Sequence, residues 1–197
     1  MHEIRLPAGC PLGEMRGQLR IPLKRCDQLE VTHDFVAWRG RRSGFDELGA
    51  WDRKTGATRR IAKIFGYIFT FTAVDDALYA VPLFYPWEEG KVPEEQPIVR
   101  FPLREGEPRV VVHGTTGSQD PPALLNLAVH DGYLYWTYAS LMRARLDGSN
   151  VETLVEGSLA RHEGVLGYGF SANDLYFVRT RRAGYEASSM TVERLHL

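Results

Sequence analysis

The sequence has few of the features that mark membrane-spanning, secreted or nucleic-acid-binding chains. It contains two cysteines and no polybasic segment, and its formal net charge is −1, with 24 Lys and Arg residues against 25 Asp and Glu. Its longest apolar runs, such as 67–74 and 133–137, are far shorter than the roughly 20 residues of a transmembrane helix. The amino-terminal residues lack the apolar core of a secretory signal. We therefore expect no membrane insertion, no nucleic-acid partner and, for the chain as written, a cytoplasmic location.

The sequence also lacks catalytic and metal-binding motifs. No pair of histidines or cysteines has the spacing of a zinc site, and no serine stands in a Gly-x-Ser-x-Gly motif. His33 and His130 occupy corresponding turns and are expected to form local hydrogen bonds there. Cys10 and Cys26 are expected to be reduced, unless the amino terminus is incomplete and the protein is secreted, in which case they could form a disulfide. The sequence thus predicts no catalytic residue, no metal and no cofactor.

What the sequence does contain is a fourfold internal repeat. A polar turn followed by an apolar and aromatic strand occurs four times, with Val36, Leu78, Leu134 and Leu175 in equivalent positions. These positions are 42, 56 and 41 residues apart, and the long middle interval contains an insertion rich in Pro and Glu at 84–97. Each repeat reads as four short strands, and no segment shows a helical stripe. Repeated four-stranded units of this length predict an all-β chain of β-propeller type.

We expect a single domain of about four antiparallel, four-stranded blades. The fourth repeat ends before its outer strand, which the segment 18–23 could supply, so that four blades would close into a ring. Alternatively, the chain is half of a larger propeller and is completed by a second copy. The expected boundaries are 1–26 for an amino-terminal strap or closing strand, 27–63 for blade 1, 64–114 for blade 2, 122–157 for blade 3 and 164–197 for blade 4.

The third repeat carries the most specific family signal. Its aromatic strand reads Tyr135-Trp136-Thr137-Tyr138 and is followed by the turn Leu146-Asp147-Gly148-Ser149-Asn150. About residues 124–157 thereby resemble a YWTD blade of the LDL-receptor-like β-propellers, whereas the other repeats share only the strand pattern. Tyr138 stands where the motif has Asp, so the stabilising role of that Asp does not carry over. The resemblance implies a propeller fold, for which that family usually needs six blades.

The loops between the second and third strands of the blades emerge on one face, which is commonly the ligand face of a propeller. Two of these loops each carry three arginines, a glycine and an aromatic residue. Guanidinium groups bind phosphate, sulfate or carboxylate in a bidentate manner, and the aromatic residues of the insertion could stack on a peptide or sugar. We therefore predict a ligand site formed by Arg39, Arg41, Arg42, Arg179, Arg181, Arg182, Tyr85 and Trp87. The competing interpretation is a set of solvated hairpins whose arginines are balanced by Asp46, Glu47 and Glu186.

The expected function is non-enzymatic binding of a protein, or of an anionic small molecule or glycan, through this face. One alternative is a propeller enzyme of carbohydrate lyase or hydrolase type, because catalytic residues drawn from several blades around a pore leave no local motif. The other is a half-propeller that acts by assembly, as a homodimer that completes a larger propeller. Propellers host unrelated activities, so the fold does not decide among these.

Overall fold

The computed structural model describes residues 2–3, 20–21, 26–82, 96–114, 125–158, 163–183 and 186–197. Within these ranges, all of the regular secondary structure is β-strand. Two short strands, β1 (His2–Glu3) and β2 (Arg20–Ile21), pair with each other in antiparallel orientation. The remaining strands form four antiparallel sheets, each built from strands that are consecutive in the sequence.

Each of these sheets is a meander, and we refer to them as blades 1 to 4. Blade 1 contains β3 (Cys26–Val31), β4 (Phe35–Arg42), β5 (Phe45–Asp52) and β6 (Thr58–Phe65). Blade 2 contains β7 (Ile68–Val74), β8 (Ala77–Pro82), β9 (Ile98–Pro102) and β10 (Arg109–Val112). Blade 3 contains β11 (Leu125–His130), β12 (Tyr133–Tyr138), β13 (Ser140–Arg145) and β14 (Glu152–Val155). Blade 4 contains three described strands, β15 (Glu163–Ser171), β16 (Asp174–Ala183) and β17 (Glu186–His196).

The turn between β11 and β12 shows how local sequence sets the meander. Asp131 and Gly132 separate the paired residues His130 and Tyr133, and both turn residues have positive φ, 50° and 79°. A two-residue hairpin of this kind matches the right-handed twist of the strands, and Asp-Gly adopts it at low conformational cost. The sequence therefore specifies both the position of the turn and the register of the hairpin.

The hydrophobic core lies between successive blades. Alternate residues of each strand point to opposite faces of the sheet, so each inner blade buries one face against each neighbour. Burying one large apolar side chain contributes about 1.5–3 kcal/mol. The clusters include Leu48 and Phe71 between blades 1 and 2, Tyr79 and Trp136 between blades 2 and 3, and Tyr135 and Phe177 between blades 3 and 4.

Side-chain amides on the first strand of a blade also connect it to the next blade. Gln28 Nε2 donates to the carbonyl oxygen of Phe71 at 2.8 Å, and Asn126 Nδ2 donates to that of Leu166 at 2.7 Å. The first bond joins blade 1 to blade 2, and the second joins blade 3 to blade 4. The same type of contact therefore recurs two blades apart, as expected of a repeat architecture.

The face of blade 4 that points away from blade 3 is exposed. Of the side chains on this face, 62% of Met190, 73% of Val192 and 39% of Tyr176 are accessible to solvent. Blade 1 therefore does not cover these three side chains. The strand β2 pairs with β1, so the closing strand expected from 18–23 stays a prediction.

Candidate functional site

The strongest candidate site lies where blades 1 and 2 meet, at the rim that carries the connections between second and third strands. We call it the rim cleft. It has a volume of about 290 Å³ and is lined by Arg41, Gly44, Phe45, Asp46, Gly66 and Tyr67. Gly44 lies in the turn from β4 to β5, and Gly66 lies between β6 and β7. The main-chain N–H of Gly66 donates to the carbonyl oxygen of Gly44 at 3.2 Å, which holds the two turns together.

The floor of the rim cleft is a buried polar junction between the two blades. Asp46 is 1% exposed, and its Oδ2 accepts the main-chain N–H of Ile68 at 2.8 Å. Arg39, predicted as a ligand residue, is 9% exposed and donates from Nη1 to the carbonyl oxygen of Ile68 at 2.6 Å. Both main-chain groups of Ile68 are therefore held by side chains of blade 1. The observed contact of Arg39 is a junction between blades, and its binding role stays a prediction.

Arg41 is the predicted site residue that the structure places in the rim cleft with its side chain partly in solvent. Its side chain is 44% exposed, and its Nε lies 3.6 Å from Oδ1 of Asp46. Because a neighbouring carboxylate holds the guanidinium near the cleft, less side-chain entropy is lost when a ligand binds. The cleft thus presents a positioned cation beside the exposed ring of Tyr67.

Aromatic side chains lie at the same end of blade 1 as the rim cleft, and the sequence analysis missed most of them. The rings of Phe45 and Phe65 lie 6.5 Å apart, and Lys63 Nζ lies 4.5 Å and 4.6 Å from their centroids. Tyr67 is 45% exposed and contacts Phe69 edge to face at 5.4 Å. In the sequence, these residues could have been found from the aromatic pair Phe65 and Tyr67, which flanks Gly66 in the connection between the first two repeats.

The arginines predicted on blade 4 form ion pairs with nearby glutamates. Arg179 donates from Nε to Glu193 Oε1 at 2.9 Å, and Arg181 Nη2 lies 2.9 Å from Glu163 Oε1. These ion pairs lie within blade 4, and that of Arg41 lies within blade 1. The two arginine loops are therefore not brought together by these contacts.

Four predicted site residues cannot be placed fully. Arg42 and Arg182 lie at the ends of β4 and β16, where the backbone is described but the side chains are not. Tyr85 and Trp87 lie outside the described residues, as does most of the insertion. Their predicted roles therefore stay predictions.

The opposite rim contains two larger clefts that the sequence analysis did not anticipate. One, of about 440 Å³, includes Phe35, Arg59 and Leu103, and the other, of about 530 Å³, includes Tyr79 and Arg100. An arginine in each cleft has a partner: Arg59 donates to the carbonyl oxygen of Pro102 at 2.9 Å, and Arg100 Nη2 lies 3.3 Å from Oδ1 of Asp76. Burial raises the pKa of Tyr79, so its phenol stays protonated at neutral pH.

The two histidines expected to act alike have different contacts. His33 Nδ1 lies 2.7 Å from Oδ1 of its neighbour Asp34, which agrees with a local role. His130 instead stacks on Phe170 of blade 4, with ring centroids 4.2 Å apart, and its Nε2 lies 3.3 Å from the carbonyl oxygen of Ala172. Its contacts therefore join two blades, and the interpretation of His130 as a local turn residue is corrected.

Two features are absent from the described part of the chain. Its residues include no group of three or more His, Cys, Asp and Glu side chains placed to hold a metal ion. They also include no helix that is long and apolar enough to cross a membrane.

No protein-family model matches the sequence, and no curated protein sequence matches it. Solved structures do share its fold. The tricorn protease has a TM-score of 0.57 at 14% identity, covering 89% of this chain and 17% of that chain. A prolyl endopeptidase structure has a TM-score of 0.54 at 17% identity, covering 83% of this chain and 23% of that chain. The nidogen/laminin complex has a TM-score of 0.48 at 18% identity, covering 92% of this chain and 72% of that chain.

These likenesses concern the fold alone. The chain spans less than a quarter of the tricorn protease and prolyl endopeptidase chains that it resembles. Four successive meander sheets that pack face to face define a β-propeller. The predicted fold class, an all-β propeller of about four blades, is confirmed.

Proposed function

We propose that the protein is a non-enzymatic β-propeller that binds an acidic segment of a partner protein in the rim cleft. The observation that carries the proposal is that Arg41 and Tyr67, both partly exposed, line one cleft where two blades meet. An arginine and a tyrosine in one cleft favour a carboxylate next to an apolar or aromatic group. The similarity of residues 124–157 to YWTD blades supports assignment to that class of propeller.

The charges around the rim cleft support an anionic ligand. Arg39 and Arg41 provide two positive charges on the face of β4 that packs on blade 2, against the single carboxylate of Asp46 on the same face. Asp46 is buried, and its Oδ2 accepts a main-chain N–H. The guanidinium of Arg41 is the more exposed of the two and therefore dominates the field that an approaching ligand meets.

The ligand class is testable with a model peptide. The probe is an acidic peptide, Ac-EEYEE-NH2, and its uncharged counterpart is Ac-QQYQQ-NH2. We expect the wild-type protein to bind the acidic peptide more tightly than the counterpart, with an affinity that falls as salt rises, because screening weakens contacts between exposed charges. Isothermal titration calorimetry at two salt concentrations measures both effects.

Matched variants test whether the rim cleft is the site. Arg41→Gln should weaken binding of the acidic peptide about tenfold, which corresponds to losing one charge-assisted contact. Arg109→Gln removes an exposed arginine from β10 of blade 2, outside the rim cleft, and should leave the affinity unchanged. Equal affinity of the wild type and Arg41→Gln, or equal binding of the two peptides, contradicts the proposal.

A further inference from the structure

Comparison of the four repeats shows that, among the described residues, the outer face of blade 4 lacks the neighbouring blade that the same face has in blades 1 to 3. Ala37, Tyr79 and Tyr135 occupy equivalent positions in blades 1 to 3, and each is buried in the cluster shared with the following blade. Tyr176 occupies the same position in blade 4 and is 39% exposed, although Thr180 on the same face is 5% exposed. The face that packs on the next blade elsewhere in the chain is therefore only partly covered in blade 4.

This face carries an apolar strip that ends beside Arg194, which pairs with Tyr176 and whose side chain is 64% exposed. Strand pairing places Val178 opposite Val192 and Thr180 opposite Met190, so these side chains share one face with Tyr176. Val192 and Met190 are both strongly exposed. Isolated exposed hydrophobic residues are common, but a contiguous apolar patch on a sheet marks an interaction surface.

The same face has a groove beside the strip. Gly167 pairs with Val178 and Gly169 pairs with Tyr176, so both glycines belong to this face, on β15. A Cβ built on either glycine would meet no other atom within 4 Å. The surface of this face is therefore recessed over the glycines of β15 and raised over β17, where the side chains of Met190 and Val192 project.

We propose that a second copy of this chain docks on blade 4, face to face. A two-fold axis parallel to the strands would place the ridge of β17 from each copy over the glycine groove of β15 in the other. Such a surface is self-complementary, which is the requirement for a two-fold interface. The interface repeats the sheet-on-sheet packing already present between the blades of one chain.

A second copy fits this face better through its blade 4 than through its blade 1. In blade 1 the residues that would pack on a preceding blade, Val36 and Trp38, are already buried. An end-to-end contact from blade 4 of one copy to blade 1 of another would have to displace the groups that now bury Val36 and Trp38. The contact between two blades 4 requires no such rearrangement.

The oligomeric state and two opposed substitutions test the proposal. Light scattering during size-exclusion chromatography should give about twice the 22.3 kDa chain mass at micromolar protein. Val192→Lys buries a charge in the interface and should raise the dimer dissociation constant at least about tenfold. Thr191→Lys places the same charge on the neighbouring exposed residue, which points to the other face of β17, and should leave the dimer intact.

Filling the groove tests the orientation of the two copies. Because a Cβ on Gly169 meets no atom within 4 Å in a single chain, whereas β17 of the second copy would lie over it, Gly169→Leu should also give a monomer with an unchanged fold by circular dichroism. A wild-type mass of one chain at about 100 µM overturns the proposal, since that concentration detects even weak dimers. Equal effects of Val192→Lys and Thr191→Lys overturn it too. A dimer that survives Gly169→Leu but not Val192→Lys contradicts the face-to-face docking.

Discussion

The buried carboxylate of Asp46 accepts the main-chain N–H of Ile68 at 2.8 Å, across the junction between blades 1 and 2. Arg39 binds the carbonyl oxygen of the same residue, so blade 1 holds both polar groups at the start of β7. Without these two contacts, the main-chain N–H and carbonyl groups of Ile68 would bind water or stay unpaired. The junction thereby fixes the floor on which the rim cleft is built.

Arg39 should matter for stability, and Arg41 should matter for binding. Arg39→Met removes the donor to Ile68 and leaves that buried carbonyl oxygen without its side-chain partner, so we expect a loss of about 1–3 kcal/mol in the free energy of unfolding. Arg41→Met affects a half-exposed ion pair and should cost less than about 1 kcal/mol. Urea denaturation of both variants measures the difference, and equal losses would contradict the assignment of Arg39 to the junction.

Gly49 should not tolerate a side chain, because the indole of Trp38 lies against it. A Cβ on Gly49 would lie 2.3 Å from an indole carbon of Trp38. Gly49→Ala must therefore displace the buried ring, and we expect a loss of about 1–3 kcal/mol together with a changed near-UV circular dichroism spectrum. Gly164→Ala is the matched control, because a Cβ there would come no closer than 3.4 Å to Ala139, an ordinary van der Waals contact, and it should be neutral. Two neutral variants would show that the ring of Trp38 is not packed as described.

Glu30 should make the fold less stable as pH rises through the range in which it ionises. Partial burial raises the pKa of Glu30 above its ordinary value, although a hydrogen bond from Gln28 opposes the shift. The folded state therefore holds a proton that the unfolded state has released, and stability falls with increasing pH in that window. Glu30→Gln should raise the melting temperature at pH 7 and flatten its dependence between about pH 4 and 7. Glu105→Gln, at an exposed position, serves as the control, and identical profiles of the two variants would refute the effect.

The repeat could be predicted from the sequence because its signals are local. The turn at Asp131 and Gly132 and the strand that follows are specified within a few residues. The contact of Arg39 with Ile68 spans 29 residues and depends on how two sheets pack. The sequence therefore did not show that Arg39 contacts the neighbouring blade, and its role in ligand binding stays a prediction.

The histidines show a second limit of sequence comparison. His33 and His130 both precede an aromatic strand, but pairing of Val31 with Val36 and of Val129 with Leu134 makes Thr32 the counterpart of His130. A shift of one residue sends the side chain to a different environment, since successive residues of a strand point to opposite faces. The register, which the strand pairing reveals, decides their roles.

The most direct test of binding at the rim cleft is an amide chemical-shift titration of the wild-type protein with Ac-EEYEE-NH2. We predict that the largest shifts fall on Gly44, Phe45, Gly66 and Tyr67, which line the rim cleft, and that Arg41→Gln suppresses them. Shifts confined to the opposite rim, around Leu103 and Arg104, or no shifts at all, would contradict the account.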